Sequence, residues 1–191
     1  MNRDILSKIE KEQMISREEL GELLTTTDQE LIEELYRRAR ATAGKYYGKE
    51  IYLRGLIEFT NYCKNDCYYC GIRRSNEKAQ RYRLSEEEIL ECCVTGYDLG
   101  FRTFVLQGGE DPYFTDERIC DIVGKIKKRF PDCAVTLSLG EKSRESYQKY
   151  FDAGADRYLL RHETAGAEHY RKLHPAELLQ EKRMQCLRDL K

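Results

Sequence analysis

Residues 51–60 read IYLRGLIEFT, and residues 61–71, directly after them, read NYCKNDCYYCG. The first stretch has the β-branched and aromatic content of a strand, with Gly55 as its weak point. The second gathers Cys63, Cys67 and Cys70 in one loop at the strand's carboxyl end. A strand opening into a chemically loaded loop is the repeating element of α/β folds whose sites lie at the carboxyl ends of parallel strands.

The same alternation continues downstream. Ser85 and Glu88 have capping-box spacing and open a helix that runs to about Leu99 and stops at Gly100. Residues 101–107 (FRTFVLQ) predict a strand, 116–129 a helix ended by Pro131, 134–139 (AVTLSL) a strand, 143–153 a helix closed by Gly154, and 157–163 (RYLLRHE) a fourth strand. Helical pieces follow around residues 168–173 and from 178 onward. Four strand–helix units in register predict a parallel sheet with right-handed crossovers, either a TIM-type barrel or an open doubly wound sheet. The polar loop after each strand favours the barrel. Four units make half of an eightfold barrel, and the pattern stops within a helix at residues 190–191. The expectation is therefore an α/β chain, C-terminally truncated, forming the N-terminal half of a (β/α)8 barrel over residues 49–191. A helical extension precedes it over residues 1–48. Ser16 with Glu19, and Thr27 with Glu30, give capping-box spacing there, and residues 44–48 close the region.

Composition narrows the function. The chain has 33 Lys plus Arg against 34 Asp plus Glu, a net charge of -1, so it carries no electrostatic footprint for nucleic acid. The basic run at residues 72–83 (Arg73, Arg74, Lys78, Arg81, Arg83) reads as a solvated loop beside an anionic cofactor. The opening residues MNRDILSKIEKEQ have no apolar signal core, and no segment has the length of a membrane span, which predicts a cytoplasmic protein. Eight cysteines without a secretory signal do not suggest a disulfide framework. Three in one short window suggest a metal site. Cys92, Cys93, Cys120, Cys133 and Cys186 lack such spacing and read as small apolar packing residues.

Three close thiolates suit a cubane iron–sulfur cluster, holding three irons and leaving the fourth open. A zinc site is the alternative, but it needs a distant fourth ligand, and the chain has no second C-X2-C pair. Later strands offer supporting groups. Gly108, Gly109, Glu110 and Asp111 follow the second strand, and paired glycines let backbone approach a ligand closely. Thr136 and Ser138, two apart on the third strand, point the same way, as do Leu159, Arg161 and Glu163 on the fourth. An Arg and a Glu at a barrel mouth suit a zwitterionic ligand, or else form a structural ion pair. Arg183 lies beyond the fourth unit and can return to the site. His162, His169 and His174 read as structural.

The arrangement Cys63-X3-Cys67-X-Tyr69-Cys70 resembles the CX3CXΦC signature of the radical S-adenosylmethionine (SAM) superfamily, with Tyr69 as the aromatic. The order of IEFTNYCKNDCYYCGIRR, RYRLSEEEI, FVLQGGEDPY, VTLSLGE and GADRYLLRHETA is similar to the FeFe-hydrogenase maturases of the HydE type. Biotin synthase and methylornithine synthase are their near relatives. The likeness runs from about residue 50 to the C-terminus and is densest at YLLRHETA and VTLSLGE. It implies a 4Fe-4S cluster on Cys63, Cys67 and Cys70, and SAM as the molecule cleaved to a 5'-deoxyadenosyl radical. It also implies a role in assembling the FeFe-hydrogenase active-site cluster. By motif position, Tyr69 would hold the adenine. Gly108, Gly109 and Glu110 would meet the SAM amino group, and Arg161, Glu163 and Arg183 would also contact SAM. Thr136 and Ser138 would line the cavity for a small-molecule substrate. The implied partners are an electron donor protein and other hydrogenase maturation proteins, with no nucleic acid and no membrane. The competing reading of another class is a non-catalytic iron–sulfur or zinc-binding protein.

Overall fold

Strand β1 (Gly55–Thr60) buries Ile57 and Phe59 and leaves the alternate residues Leu56 and Glu58 exposed. That period of two is how a half-buried strand reads. The computed structural model describes residues 4–191, which fall into two compact units parting between Tyr52 and Leu53.

The larger unit is built on β1 with β2 (Thr103–Gly108), β3 (Ala134–Ser138) and β4 (Arg157–Tyr158), all parallel and in the order β1-β2-β3-β4. A doubly wound sheet reverses its strand order at a switch point. This one advances in a single direction, as a barrel wall does, and forms a partial α/β barrel. Helices α4 (Glu86–Asp98), α5 (Asp116–Arg129) and α6 (Arg144–Asp152) connect the strands. Their apolar stripes supply Ile89, Cys93, Ile119, Ile122, Val123, Ile126, Tyr147 and Tyr150 to one core with Ile57, Phe59, Phe104, Leu106, Val135 and Leu137. Each fully buried apolar side chain of this size is worth about 1.5–3 kcal/mol. A helix cap is worth about 1 kcal/mol. Packing therefore holds the layers together, while the caps decide where helices begin. The Ser85–Glu88 capping box forms as expected, with Ser85 N–H donating to Glu88 Oε2 at 2.6 Å and Glu88 N–H to Ser85 Oγ at 3.2 Å.

The other sheet face is polar and open. Register aligns Glu58, Gln107 and Ser138 across three strands, and Gln107 Nε2 donates to Glu58 Oε1 at 3.1 Å. One row below lie Leu56, Val105, Thr136 and Arg157. Two short helices, α7 (Ala167–Leu173) and α8 (Gln180–Asp189), follow β4.

The fourth strand departs from expectation. It pairs only at Arg157 and Tyr158, and Leu159 N–H makes one further bond to Leu137 O, at 2.8 Å. Glu163 adopts φ 64°, the left-handed region a strand residue does not use. Leu159, Arg161 and Glu163 therefore do not share a strand face. The first strand also begins later than its apolar sequence suggests, at Gly55.

The smaller unit contains α1 (Asp4–Glu12), α2 (Arg17–Thr25) and α3 (Gln29–Tyr47). Its Ser16–Glu19 capping box is present. At α3 the cap is Asp28, whose Oδ1 accepts from Leu31 N–H at 3.3 Å, and not Thr27. Ion pairs Lys8–Glu19 at 2.9 Å and Arg38–Glu10 at 3.1 Å cross between helices. Gly48, at φ 63°, caps α3. Among the described residues no helix is long and apolar enough to cross a membrane.

Candidate cluster and cofactor site

The loop after β1 leaves the sheet at Asn61 and returns at Tyr82, where Asn61 N–H donates to Tyr82 O and Leu84 N–H to Phe59 O. Arg81 holds the excursion closed. Its guanidinium donates to the carbonyls of Asn61, Ile72, Arg73 and Asn76. Three members of the basic run thus fasten the loop as well as carrying solvated charge: Arg73 Nη1 donates to Cys70 O at 3.0 Å, and the partly exposed Arg83 also binds inward. Arg83 Nε donates to Asp111 Oδ2 at 2.6 Å and Nη2 to Oδ1 at 2.9 Å. The guanidinium carbon lies 3.9 Å from the Tyr62 ring centre and 4.9 Å from that of Tyr113. Thr60 Oγ1 completes the arrangement, donating to Asp111 Oδ2 at 2.8 Å.

The cysteine loop leans on the loop after β2. Gly109 N–H donates to Thr60 O at 3.3 Å and Lys64 N–H to Glu110 O at 3.0 Å. A Cβ on Gly109 would overlap the Tyr62 carbonyl and lie 2.8 Å from Cys63 Cβ, so only glycine permits this approach. Glu110 is buried, pairs with Lys64 Nζ at 3.2 Å and accepts from Glu141 N–H at 3.0 Å. It fills the space a side chain at Gly140 would need, and Gly140 has φ 74°.

Cys63, Cys67 and Cys70 are unbridged, half-buried thiols lining one cleft of about 500 Å³. Tyr69, Gly108, Gly109, Glu110, Ser138, Arg161, Glu163 and Arg183 line the same cleft. The volume lies within the roughly 300–1,000 Å³ typical of cofactor pockets. Thr136 is the expected site residue that does not line it: it is buried one row deeper, and its Oγ1 has no hydrogen-bond partner among the described residues.

Burial pushes the Cys63 thiol up. Burial, reinforced by the charges of Cys63 and Cys70, pushes Cys67 up to about 11. Such thiols keep their protons until a Lewis acid replaces them. Among the described residues no three His, Cys, Asp or Glu side chains gather closely enough to share one metal ion. A cubane asks for something different, one thiolate on each of three irons. The soft donor set, three free thiols on one cleft, fits such a cluster.

Behind the cleft runs a buried polar chain that sequence reading did not foresee. Arg183 Nε lies 2.8 Å from Glu141 Oε1, both side chains under 10% exposed. Arg183 Nη1 donates to Arg161 O at 3.3 Å. The ion pair at the strand mouths is thus Arg183–Glu141. Tyr170, on α7, lies beside the Arg183 guanidinium and stacks on His174 with ring centres 3.9 Å apart. Glu141 adjoins the glycine of the VTLSLGE stretch, and Asp111 follows the GGE stretch. Both lie inside the stretches that carry the resemblance, VTLSLGE and FVLQGGEDPY, which was the only signal either offered.

The family model described as the Radical SAM superfamily matches residues 57–191, which holds the sheet and the whole cleft. The chain belongs to the radical SAM superfamily. Membership implies a 4Fe-4S cluster and SAM. The [FeFe] hydrogenase maturase subunit HydE of Thermotoga maritima is 48% identical over 99% of this chain and 53% of its own length. The 3-methylornithine synthase of Methanosarcina acetivorans is 35% identical over 83% of this chain and 45% of its own. Among solved structures, the crystal structure of HydG, a maturase of the [FeFe]-hydrogenase, superposes with TM-score 0.87 at 27% identity. It covers 98% of this chain and 43% of that one. The chain thus spans about half the length of the curated radical SAM relatives it matches.

Proposed function

We propose that this polypeptide carries the cofactor-binding half of a radical SAM enzyme acting in assembly of the FeFe-hydrogenase active-site cluster. The observation that supports it most is the convergence of three thiols, the Gly108–Glu110 backbone and the Arg161, Glu163 and Arg183 side chains on one cleft. In this reading Cys63, Cys67 and Cys70 hold three irons of a 4Fe-4S cluster. When bound, the cluster and SAM supply one-electron cleavage of a carbon–sulfur bond, giving methionine and a 5'-deoxyadenosyl radical that abstracts hydrogen from a substrate.

The protein's part is binding and exclusion of water. The Gly108 and Gly109 backbone lets a ligand lie against the end of β2, and Glu110 offers a carboxylate to an ammonium group. Arg161 and Glu163 bring opposite charges to the rim and match a zwitterionic amino acid portion. Tyr69 presents an aromatic face for a base. Ser138 lines the cleft on the side a small-molecule substrate would occupy, with Thr136 buried one row beneath it. An electron donor protein supplies the electron, other maturation proteins are partners, and a cytoplasmic setting keeps the thiols reduced.

Hydrogenase maturation is preferred to the methylornithine or biotin synthase type of chemistry because of the 48% identity to the maturase subunit over nearly the whole chain. The test is anaerobic reconstitution of this chain with iron and sulfide. The expected result is about four irons per chain, an electron paramagnetic resonance signal of the reduced cluster that changes on adding SAM, and 5'-deoxyadenosine formed with dithionite. Cys67→Ala should lose the cluster, whereas Cys92→Ala should keep it. One tightly held zinc, with no response to SAM, would replace this reading with a binding module.

A further inference from the structure

The cysteine loop is fastened at a third place, away from both β1 and the glycine loop. Tyr68 N–H donates to Leu173 O at 3.0 Å, and the Tyr69 hydroxyl lies 3.4 Å from His174 Nε2. Leu173 and His174 are the last residue and the cap of α7. The two ring-bearing residues also meet edge to face, with centres 5.4 Å apart.

The proton positions on His174 follow from its partners. Its Nδ1 lies 2.9 Å from the Tyr170 carbonyl oxygen, which can only accept. Nδ1 therefore carries the hydrogen, and in the neutral ring Nε2 is left with its lone pair. The Tyr69 hydroxyl must be the donor. His174 is 2% exposed, wedged by stacking on Tyr170, so its acceptor cannot swing away. Tyr69 is half exposed and would otherwise choose among rotamers. The charged groups that face its hydroxyl are Glu163, which is the rival acceptor, and Arg183, with the Cys67 thiol nearby.

We infer that His174 is a positioning residue for the SAM site. It accepts the Tyr69 hydroxyl proton and, with the Leu173 carbonyl, fixes the Tyr68–Tyr69 dipeptide so that the Tyr69 ring stands ready as a platform for the adenosine base. The part of this that concerns SAM rests on the function proposed above; the part that concerns the loop does not. Ordering Tyr69 before the ligand arrives removes a cost that binding would otherwise bear.

Two measurements separate these parts. In the reconstituted protein, SAM affinity is read from the ligand-induced change in the cluster's resonance signal. His174→Phe keeps a ring on Tyr170 but has no acceptor, and should weaken SAM about fivefold to tenfold at unchanged iron content, as expected for one lost hydrogen bond. His174→Gln, whose amide reaches the Nε2 position, should restore most of the affinity. Tyr69→Phe should match His174→Phe, and the double variant should be no worse than either. Wild-type affinity in His174→Phe, or losses that add in full, would overturn the inference and leave Glu163 as the partner of Tyr69. In the metal-free protein, denaturant unfolding of the wild type, His174→Phe, Tyr69→Phe and their double variant should show coupling between the two positions. Zero coupling there overturns the contact even if SAM binds normally. Coupling there, with no SAM response from the wild type, would keep the contact and sink the function.

Discussion

The Arg83 guanidinium forks onto the Asp111 carboxylate while its faces are covered by Tyr62 and Tyr113. Arg83 stands where the chain returns from the cysteine loop, and Asp111 stands at the end of the glycine loop. With Thr60 bound to the same carboxylate, three points around the cleft are tied to one buried group. Of these residues only Thr60 lines the cleft with the thiols, yet together they tie the loop that carries the cysteines to the loop that carries Gly109 and Glu110.

Asp111→Ala should lower stability by about 1–3 kcal/mol, because Thr60 and the partly exposed Arg83 would lose their shared acceptor, itself buried. Arg83→Lys should recover little of what Arg83→Ala loses, since an ammonium neither forks nor stacks. Chemical denaturation of the metal-free chain measures both. A loss under 1 kcal/mol for Asp111→Ala would remove the joint from the account.

Acid should find the same joint. Burial alone would raise the Asp111 carboxyl, but hydrogen bonds from Arg83, Thr60 and Tyr113 carry it below its ordinary 3.8. A carboxylate depressed in the folded state adds stability that is whole above its unfolded value and is lost as pH falls through the folded one. Stability curves of wild type and Asp111→Asn should therefore converge as pH drops below about 4, and stay separated from there to neutrality. A constant gap across that window would mean that Asp111 is not ionised in the fold.

Gly109→Ala should separate the two loops, because its methyl group overlaps the Tyr62 carbonyl. Overpacking of this kind costs about 1–3 kcal/mol. The expected result is a folded chain that takes up less than half the wild-type iron on reconstitution, whereas Gly71→Ala, with open space around it, should load normally. Equal iron in both would show that the loops need not touch.

Thr136→Val should leave stability unchanged or raise it by up to about 1 kcal/mol, since the buried hydroxyl has no partner among the described residues and valine matches its shape. Thermal unfolding decides this. A clear loss would mean that the hydroxyl is satisfied by something such as an ordered water.

Helix α5 was legible in the sequence to the residue, and the Ser85 and Ser16 caps were readable because each is a local device whose signal lies within four residues. The cysteine spacing was readable for the same reason. Strand β4 was not. RYLLRHE alternates like a strand, but pairing is decided by its neighbour β3, whose partners end at Leu137, and the backbone turns at Glu163. Asp28 displaced Thr27 as a cap because adjacent candidates compete and their geometry decides. His174, Arg81 and Glu141 were invisible as functional positions for a common reason: each acts on residues far away in sequence, and a lone His or Arg carries no period or spacing of its own.

Arg81 spends four hydrogen bonds on backbone carbonyls of the excursion it closes, all of them polypeptide to polypeptide. The mould is therefore set by the chain itself and not by its cargo. Were the inorganic core lost, those four bonds would still stand, and the excursion would stay closed at its neck for refilling.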